Sequence, residues 1–130
     1  MSDTDELLFE VEDDIGIITF NRSRVRNALT FGMYQRLAEI CATPPEKLKA
    51  IILTGAGDKA FAAGTDIAQF RGFESAQDAI DYEDRIDQVL TSVESCPLPI
   101  IAAIAGACTG GGAAIAAACD IRLASADLKF

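Results

Sequence analysis

Residues 97–130 have the sequence PLPIIAAIAGACTGGGAAIAAACDIRLASADLKF, and this stretch decides the fold class. Its apolar run from Ile100 to Ile104 predicts a buried strand, after which come Gly106 and the triplet Gly110–Gly112. Small residues with good helix propensity follow the triplet. We therefore expect a strand, a glycine loop and a helix in direct succession.

This glycine loop predicts a place for negative charge. The first N–H groups of a helix have no partner inside the helix, and the positive end of the helix dipole lies behind them. Three interpretations fit: a phosphate site, a site for an oxyanion that develops during acyl chemistry, and a tight turn without a ligand. The phosphate site lacks support, since no Lys and Ser/Thr pair follows the glycines and their spacing is not GxGxxG.

Composition restricts the class of protein. Half of the 130 residues are hydrophobic, which is enough for one domain with a sizeable core. The 20 acidic and 11 basic residues give a net charge of −9, which disfavours nucleic acid or an anionic membrane as a partner. Residues 95–119 carry no charge, but prolines and glycines interrupt them, so a buried strand and helix fit better than a membrane span.

Cysteine and histidine usage restricts the chemistry. The four cysteines form no CxxC pair, and the opening sequence MSDTDELLF has no basic segment that leads into an apolar one, so we expect a cytoplasmic protein. The absence of histidine excludes a Ser-His-Asp or Cys-His site within this chain and makes a zinc site improbable. We predict no metal site.

The rest of the chain alternates strands and helices, which indicates the α/β class. Two apolar runs, Leu7 to Val11 and Ile15 to Phe20, flank an acidic turn and predict a hairpin. Thr30 is placed to cap a first helix, and Lys49 to Thr54 predicts a buried strand. A second helix is expected from Ser75 to Val93, where Ser75 with Asp78 resembles a capping box.

Three stretches together carry a family resemblance: NRSRVRNALT at 21–30, AFAAGTDI at 60–67, and the segment from Pro99 through the glycine triplet to LKF. In this order and at these separations they resemble the crotonase (enoyl-CoA hydratase/isomerase) superfamily, over nearly the whole chain from Phe9 on. The resemblance implies a spiral of repeated ββα units, of which residues 1–130 would be the N-terminal part of an acyl-CoA-binding domain. It also implies a homotrimer or hexamer for the full-length protein.

The resemblance implies a site as well. Two backbone N–H groups would bind the thioester oxygen as it becomes an enolate, and by motif they fall on Thr65 and Gly111. Arg26, in RNAL, would lie near the phosphates or adenine of coenzyme A, where a guanidinium binds phosphate well, and the other two arginines of this cluster, Arg22 and Arg24, are weaker candidates. No separate cofactor is implied, because coenzyme A enters as part of the acyl-CoA thioester. The remaining positions expected to bind substrate are Ala63, Gly64, Asp66 and Gly110.

The sequence departs from the family pattern at positions that matter for chemistry. Many members carry Lys or Arg where this chain has Ala68, and hydratases carry a catalytic Glu where it has Ala114. Their second catalytic carboxylate would lie beyond Phe130. Loss of one of the two carboxylates should be costly for hydration, whereas isomerisation, decarboxylation or thioester hydrolysis could use one group placed elsewhere.

Three function hypotheses therefore stand. The first is an acyl-CoA enzyme, and the second is a non-catalytic or truncated relative that binds acyl-CoA or a partner subunit without turnover. The third is a nucleotide-dependent oxidoreductase that uses Ile52 to Gly57 (ILTGAG) as a dinucleotide turn. No acidic residue follows a second strand at the distance that a ribose needs, which disfavours the third.

Overall fold

A computed structural model describes residues 5–129. Residues 1–4, which belong to the N-terminal stretch used above to predict a cytoplasmic protein, and Phe130 lie outside the described residues. Between residues 5 and 129 the chain forms seven strands and three helices. Their bounds are β1 Leu7–Glu12, β2 Ile15–Phe20, α1 Phe31–Ala42, β3 Ala50–Gly55, β4 Ala60–Ala62, α2 Ala76–Glu94, β5 Ile100–Ile104, β6 Ala107–Cys108, α3 Gly111–Ala118 and β7 Ile121–Ala124.

Two strands and a helix form a unit that occurs three times in succession before β7. The main sheet has the order β1-β2-β3-β5-β7, in which β1 is antiparallel to β2 and all other neighbours are parallel. The second strands of the last two units, β4 and β6, leave this sheet and pair with each other. The α/β class and the repeated ββα units expected from the resemblance are therefore confirmed.

The core lies between the main sheet and the helices. Alternate residues of the central strands are buried on one face, as the period of two in a strand requires. Phe20 at the end of β2 meets Phe61 of β4 edge to face, with ring centroids 5.4 Å apart, and this contact joins the two sheets. Each large side chain that is fully buried contributes about 1.5–3 kcal/mol to folding. The buried apolar side chains of β2, β3 and β5 are those of Ile18, Phe20, Ile51, Leu53, Ile100, Ala102 and Ile104.

Both predicted helix caps are present. Thr30 accepts a hydrogen bond from the N–H of Met33 at 3.2 Å, and Ser75 accepts one from the N–H of Asp78 at 3.3 Å. The carboxylate of Asp78 accepts instead from the N–H of Glu74, so only half of the expected capping box forms. The predicted hairpin and the buried strand from residue 49 are also confirmed.

The strands β4, β6 and β7 go beyond the sequence prediction. The first two are three and two residues long, too short to show an alternating pattern. They nevertheless matter for function, because each ends directly before one of the two glycine stretches. Within the described part of the chain, no helix is long and apolar enough to cross a membrane.

Candidate active site

Two loops run side by side where β4 and β6 end. Ala62 pairs with Cys108 in the second sheet, and the N–H of Thr109 donates to the carbonyl of Ala62 at 3.2 Å. The Thr109 hydroxyl donates to the carbonyl of Ala63 at 3.1 Å. These bonds join the loop that continues β4 to the loop that opens α3.

A glycine with positive φ turns each loop. Gly64 is buried with φ 112°, and Gly110 has φ 56° and ψ −126°, conformations that side chains strongly disfavour. A Cβ built on Gly110 would lie 3.4 Å from Cα of Gly64, so the two turns are in close contact. The residues that follow them, Thr65 and Gly111, are the two predicted donors.

The backbone N–H groups of Thr65 and Gly111 are both without an acceptor within residues 5–129. Leu29 accepts from the N–H of Asp66 at 2.8 Å and donates to the carbonyl of Gly64 at 2.7 Å. These bonds use the residues on either side of Thr65 and leave the N–H of Thr65 itself unbonded. Gly111 is the first residue of α3, where no helical partner exists for its N–H. A Cβ on Gly111 would lie 3.5 Å from Oγ1 of Thr65, which places the two residues beside each other.

A row of three hydroxyls lies beside these donors. Oγ1 of Thr65 is 2.6 Å from the Tyr34 hydroxyl and 2.7 Å from the Tyr82 hydroxyl. Tyr34 is only 1% exposed, and its burial raises the pKa of its hydroxyl to about 12, so it keeps its proton at neutral pH. Sequence reasoning missed both tyrosines, since each belongs to a helix and neither is near the glycine motifs in the chain.

Tyr82 also belongs to an aromatic cluster with Phe31, Phe70 and Phe73, whose ring centroids lie 5.0–6.5 Å apart. A cleft of about 320 Å³ opens beside this cluster. Its walls combine apolar rings with charged and polar groups, as ligand sites commonly do. The cleft is lined by Phe31, Gln69, Gly72, Phe73, Asp78, Asp81, Tyr82 and Arg85.

The predicted substrate-binding residues Arg26 and Asp66 differ in their surroundings. Arg26 is exposed, and its carbonyl accepts from the N–H of Ala63 at 3.0 Å, so it adjoins the loop that carries Thr65. The Asp66 carboxylate accepts from the N–H of Ala68 at 2.9 Å and pairs with Arg22 at 3.0 Å. These two partners, the N–H first, lower the pKa of Asp66.

Arg22 therefore has a structural position rather than an exposed one. Besides pairing with Asp66, it lies 3.4 Å from the carboxylate of Glu6 and donates to the carbonyl of Ala28 at 2.7 Å. Arg22 was a weaker candidate for coenzyme A than Arg26, and its side chain is only 15% exposed. The cluster of arginines is thus divided between a buried network and the surface.

Asn27 holds this segment in place and was missed from the sequence. It is fully buried with φ 55°, and its Oδ1 accepts from the N–H of Arg22 at 2.9 Å. Its Nδ2 donates to the carbonyls of Ala56 and Ala60 at 3.0 and 2.8 Å. The available signal was its residue type, because Asn is among the few residues that tolerate a left-handed conformation.

Other groups provide little acid–base or metal chemistry at this site. Ala114 is half-buried in the first turn of α3, and its N–H donates to the carbonyl of Gly110 at 3.1 Å.

Burial raises the pKa of the Cys41 and Cys119 thiols to about 12 and that of Cys108 above its usual value, so these cysteines remain protonated. Between residues 5 and 129 no group of three or more His, Cys, Asp or Glu side chains could hold a metal ion.

Known proteins are similar to this chain in both sequence and fold. The chain is 31% identical over 128 residues to a crotonyl-CoA hydratase from Syntrophomonas wolfei, covering 97% of this chain and 49% of that protein. It is 36% identical to the mitochondrial Delta(3,5)-Delta(2,4)-dienoyl-CoA isomerase of Rattus norvegicus, covering 87% and 38%. The solved structure of an enoyl-CoA hydratase/carnithine racemase from Magnetospirillum magneticum superposes with a TM-score of 0.88 at 38% identity, covering 96% of this chain and 48% of that one.

The chain thus spans about half the length of the relatives it matches. The family described as Enoyl-CoA hydratase/isomerase matches residues 10–130, a range that includes both glycine loops and all three ββα units except the start of the first. With the fold and the sequence in agreement, the chain belongs to the enoyl-CoA hydratase/isomerase family, the crotonase superfamily.

Proposed function

We propose that this chain binds an acyl-CoA thioester and that the whole protein stabilises the enolate that forms from it. The backbone N–H groups of Thr65 and Gly111 donate to the thioester oxygen in this account. The observation that carries the proposal is that both N–H groups lack an acceptor within residues 5–129 and belong to neighbouring residues. A donor directed at a developing oxyanion is worth about 3 kcal/mol of barrier.

Coenzyme A is the part of the substrate that Arg26 is proposed to hold, with no separate cofactor. Arg26 is exposed and its carbonyl is bonded to Ala63, two residues before the proposed donor Thr65. A guanidinium in this position can bind a phosphate through two hydrogen bonds. Ala63, Gly64, Asp66 and Gly110 shape the loops beside the thioester. We also propose a cytoplasmic homotrimer or hexamer for the whole protein.

The acid–base groups beside the donors decide which reaction the enolate undergoes. Hydration requires a base for water and an acid for the α carbon, and the first of the two hydratase carboxylates is replaced by Ala114. Isomerisation of a double bond uses the same enolate with a single base. Ala114 is also the observation that favours the second candidate function, a relative that binds acyl-CoA without turnover.

A titration with crotonyl-CoA separates these functions. The absorbance of the conjugated thioester reports conversion, and calorimetry reports binding in the same sample. The proposed enzyme binds crotonyl-CoA and converts it or an isomeric enoyl-CoA, whereas a binding protein leaves both unchanged. Binding of NAD without any binding of the thioester would contradict both and favour a nucleotide-dependent protein.

A further inference from the structure

The hydroxyls of Tyr34, Thr65 and Tyr82 form a chain whose direction can be assigned. The chain has two hydrogen bonds, at 2.6 and 2.7 Å, and three protons, so one O–H is left over, on one of the tyrosines or, where both tyrosines donate to it, on Thr65. Because a buried O–H needs an acceptor, the free proton is expected on a hydroxyl that is not buried. This inference rests on the proposed function, because it concerns the ligand beside the Thr65 N–H.

Tyr34 is the enclosed end. The residue is 1% exposed, and its hydroxyl lies so close to Gly111 that a Cβ there would overlap with it. Among the described residues, Thr65 is the partner of this hydroxyl. A buried O–H without an acceptor is costly, so Tyr34 donates to Thr65 rather than accepting from it.

The direction of the second bond follows from the first. Oγ1 of Thr65 accepts from Tyr34, and Tyr82 is the other hydroxyl in contact with it. If Thr65 accepted from Tyr82 as well, its own proton would have no acceptor among the described residues, so Thr65 donates to Tyr82. Tyr82 then accepts within the chain and retains a free O–H. Tyr82 is half-buried and lines the aromatic cleft, so the free donor is at the cleft end of the chain. Donors that point the same way along a chain also strengthen one another.

We propose that Tyr82 determines specificity by donating this hydrogen bond to an uncharged oxygen on the acyl group, which makes keto-acyl thioesters favoured ligands. The oxygen is close to the thioester, at carbon 3, 4 or 5, because Tyr82 is one hydrogen bond away from the residue whose N–H is the proposed donor. The aromatic rings of the same cleft pack against the carbon chain.

The charges of the cleft favour an uncharged acceptor over a carboxylate. Asp78 and Asp81 line it together with Arg85, which gives the lining one net negative charge. Both carboxylates already accept hydrogen bonds, from the backbone of Glu74 and the amide of Gln77. A carboxylate on the acyl group would be repelled by these two aspartates, whereas a ketone accepts the Tyr82 hydrogen bond without that cost.

Competition binding tests the proposal in the intact protein. The ligands are 3-, 4- and 5-oxohexanoyl-CoA and, as the reference without the extra oxygen, hexanoyl-CoA. At least one keto ester is expected to bind about 3- to 10-fold more tightly than hexanoyl-CoA, the range expected for one net hydrogen bond. Tyr82→Phe, which removes only the hydroxyl, is expected to abolish this preference, measured as the ratio of the affinities of the variant for each keto ester and for hexanoyl-CoA.

Tyr34→Phe provides the matched variant, because Tyr34 is buried away from the cleft. Without the Tyr34 donor, the Thr65 O–H becomes a weaker donor to Tyr82 and the reverse direction competes with it, so part of the keto preference should disappear although no group in the cleft has changed. This variant also tests the proposal should Tyr82→Phe fail to fold.

Three results would be distinguishable. Equal affinities of the intact protein for hexanoyl-CoA and all three keto esters overturn the proposal. An equal loss for every ester in Tyr82→Phe also overturns it, since the hydroxyl would then be structural. If hexanoyl-CoA itself does not bind, the acyl-CoA function fails, which is a different outcome.

Discussion

Gly64 and Gly110 face each other across the two loops, and a Cβ on Gly110 would lie 3.4 Å from Cα of Gly64. Both residues have positive φ, so each loop turns where the other approaches it. The contact brings Thr65 and Gly111 together, although they are 46 positions apart in the sequence. A site formed in this way depends on backbone positions rather than on the identity of side chains.

Gly111→Ala should destabilise the protein by about 1–3 kcal/mol, the usual cost of an overpacked site. The added methyl group would overlap with the Tyr34 hydroxyl, which is buried and hydrogen-bonded and so cannot move aside easily. In the Tyr34→Phe background the same change should cost less, because the overlapping oxygen is absent. Urea unfolding of the four proteins measures both values.

Gly72→Ala is the matched control for this comparison. A Cβ on Gly72 meets nothing within 4 Å, so the free energy of unfolding should change by less than about 0.5 kcal/mol. Equal costs of Gly111→Ala with and without the Tyr34 hydroxyl would show that the close approach is not what requires glycine at position 111.

Asp66 should contribute fully to stability above about pH 4 and progressively less below it. Its pKa in the folded protein is lowered by the Ala68 N–H and then by Arg22, so the contribution is present above the unfolded pKa of about 3.9 and is lost as pH falls through the folded value. Asp66→Asn keeps an oxygen for the Ala68 N–H but removes the charge. Melting temperatures between pH 6 and 2.5 should therefore fall less steeply in the variant. Parallel curves would contradict this role of Asp66.

Arg26→Ala should weaken acyl-CoA binding by about 1–3 kcal/mol if the guanidinium binds phosphate. The loss should shrink as salt is added and should be absent with an acyl-pantetheine, which lacks the nucleotide. Arg24→Ala, at the exposed neighbouring arginine, tests whether the effect belongs to position 26. Equal losses with both ligands would indicate that Arg26 stabilises the loop instead.

Ala114→Glu should give the intact protein measurable hydration of crotonyl-CoA, provided that the whole protein supplies the second carboxylate. Position 114 is in the first turn of α3, so the new side chain would be held on a helix beside Gly111. The helix N-terminus favours the ionised form of the Glu. Loss of absorbance of the conjugated thioester measures the gain. A parent protein that already hydrates crotonyl-CoA at a usual enzyme rate would contradict the importance of Ala114.

The hairpin, the buried strands β3 and β5, the helices and their caps could be predicted because their signals are local. Thr30 and Ser75 cap helices through bonds to residues three positions ahead, and periodicity locates the buried strands. The glycine loops could also be placed, since a strand, glycines and a helix follow one another in the chain.

The network around the loops could not be predicted, since it joins residues that are far apart in sequence. The Tyr34–Thr65–Tyr82 chain spans 31 and 17 positions, and Asn27 reaches residues 29 and 33 positions away. No local pattern distinguishes these side chains from ordinary helix or loop residues. Arg22 shows the same limit, because an exposed arginine in a turn and a half-buried ion pair have the same sequence signature.

The carbonyl stretching frequency of crotonyl-CoA, labelled with ¹³C at the thioester carbon, tests the central claim most directly. Two N–H donors on the oxygen should lower this frequency on binding to the intact protein, and Thr65→Ser should preserve the shift because it keeps both the N–H and the hydroxyl. Thr65→Pro removes the N–H and should reduce both the shift and any turnover, the latter by about 100-fold or more, while far-UV circular dichroism confirms folding. A bound thioester with the frequency of the free one, or an undiminished shift in folded Thr65→Pro, would contradict the account.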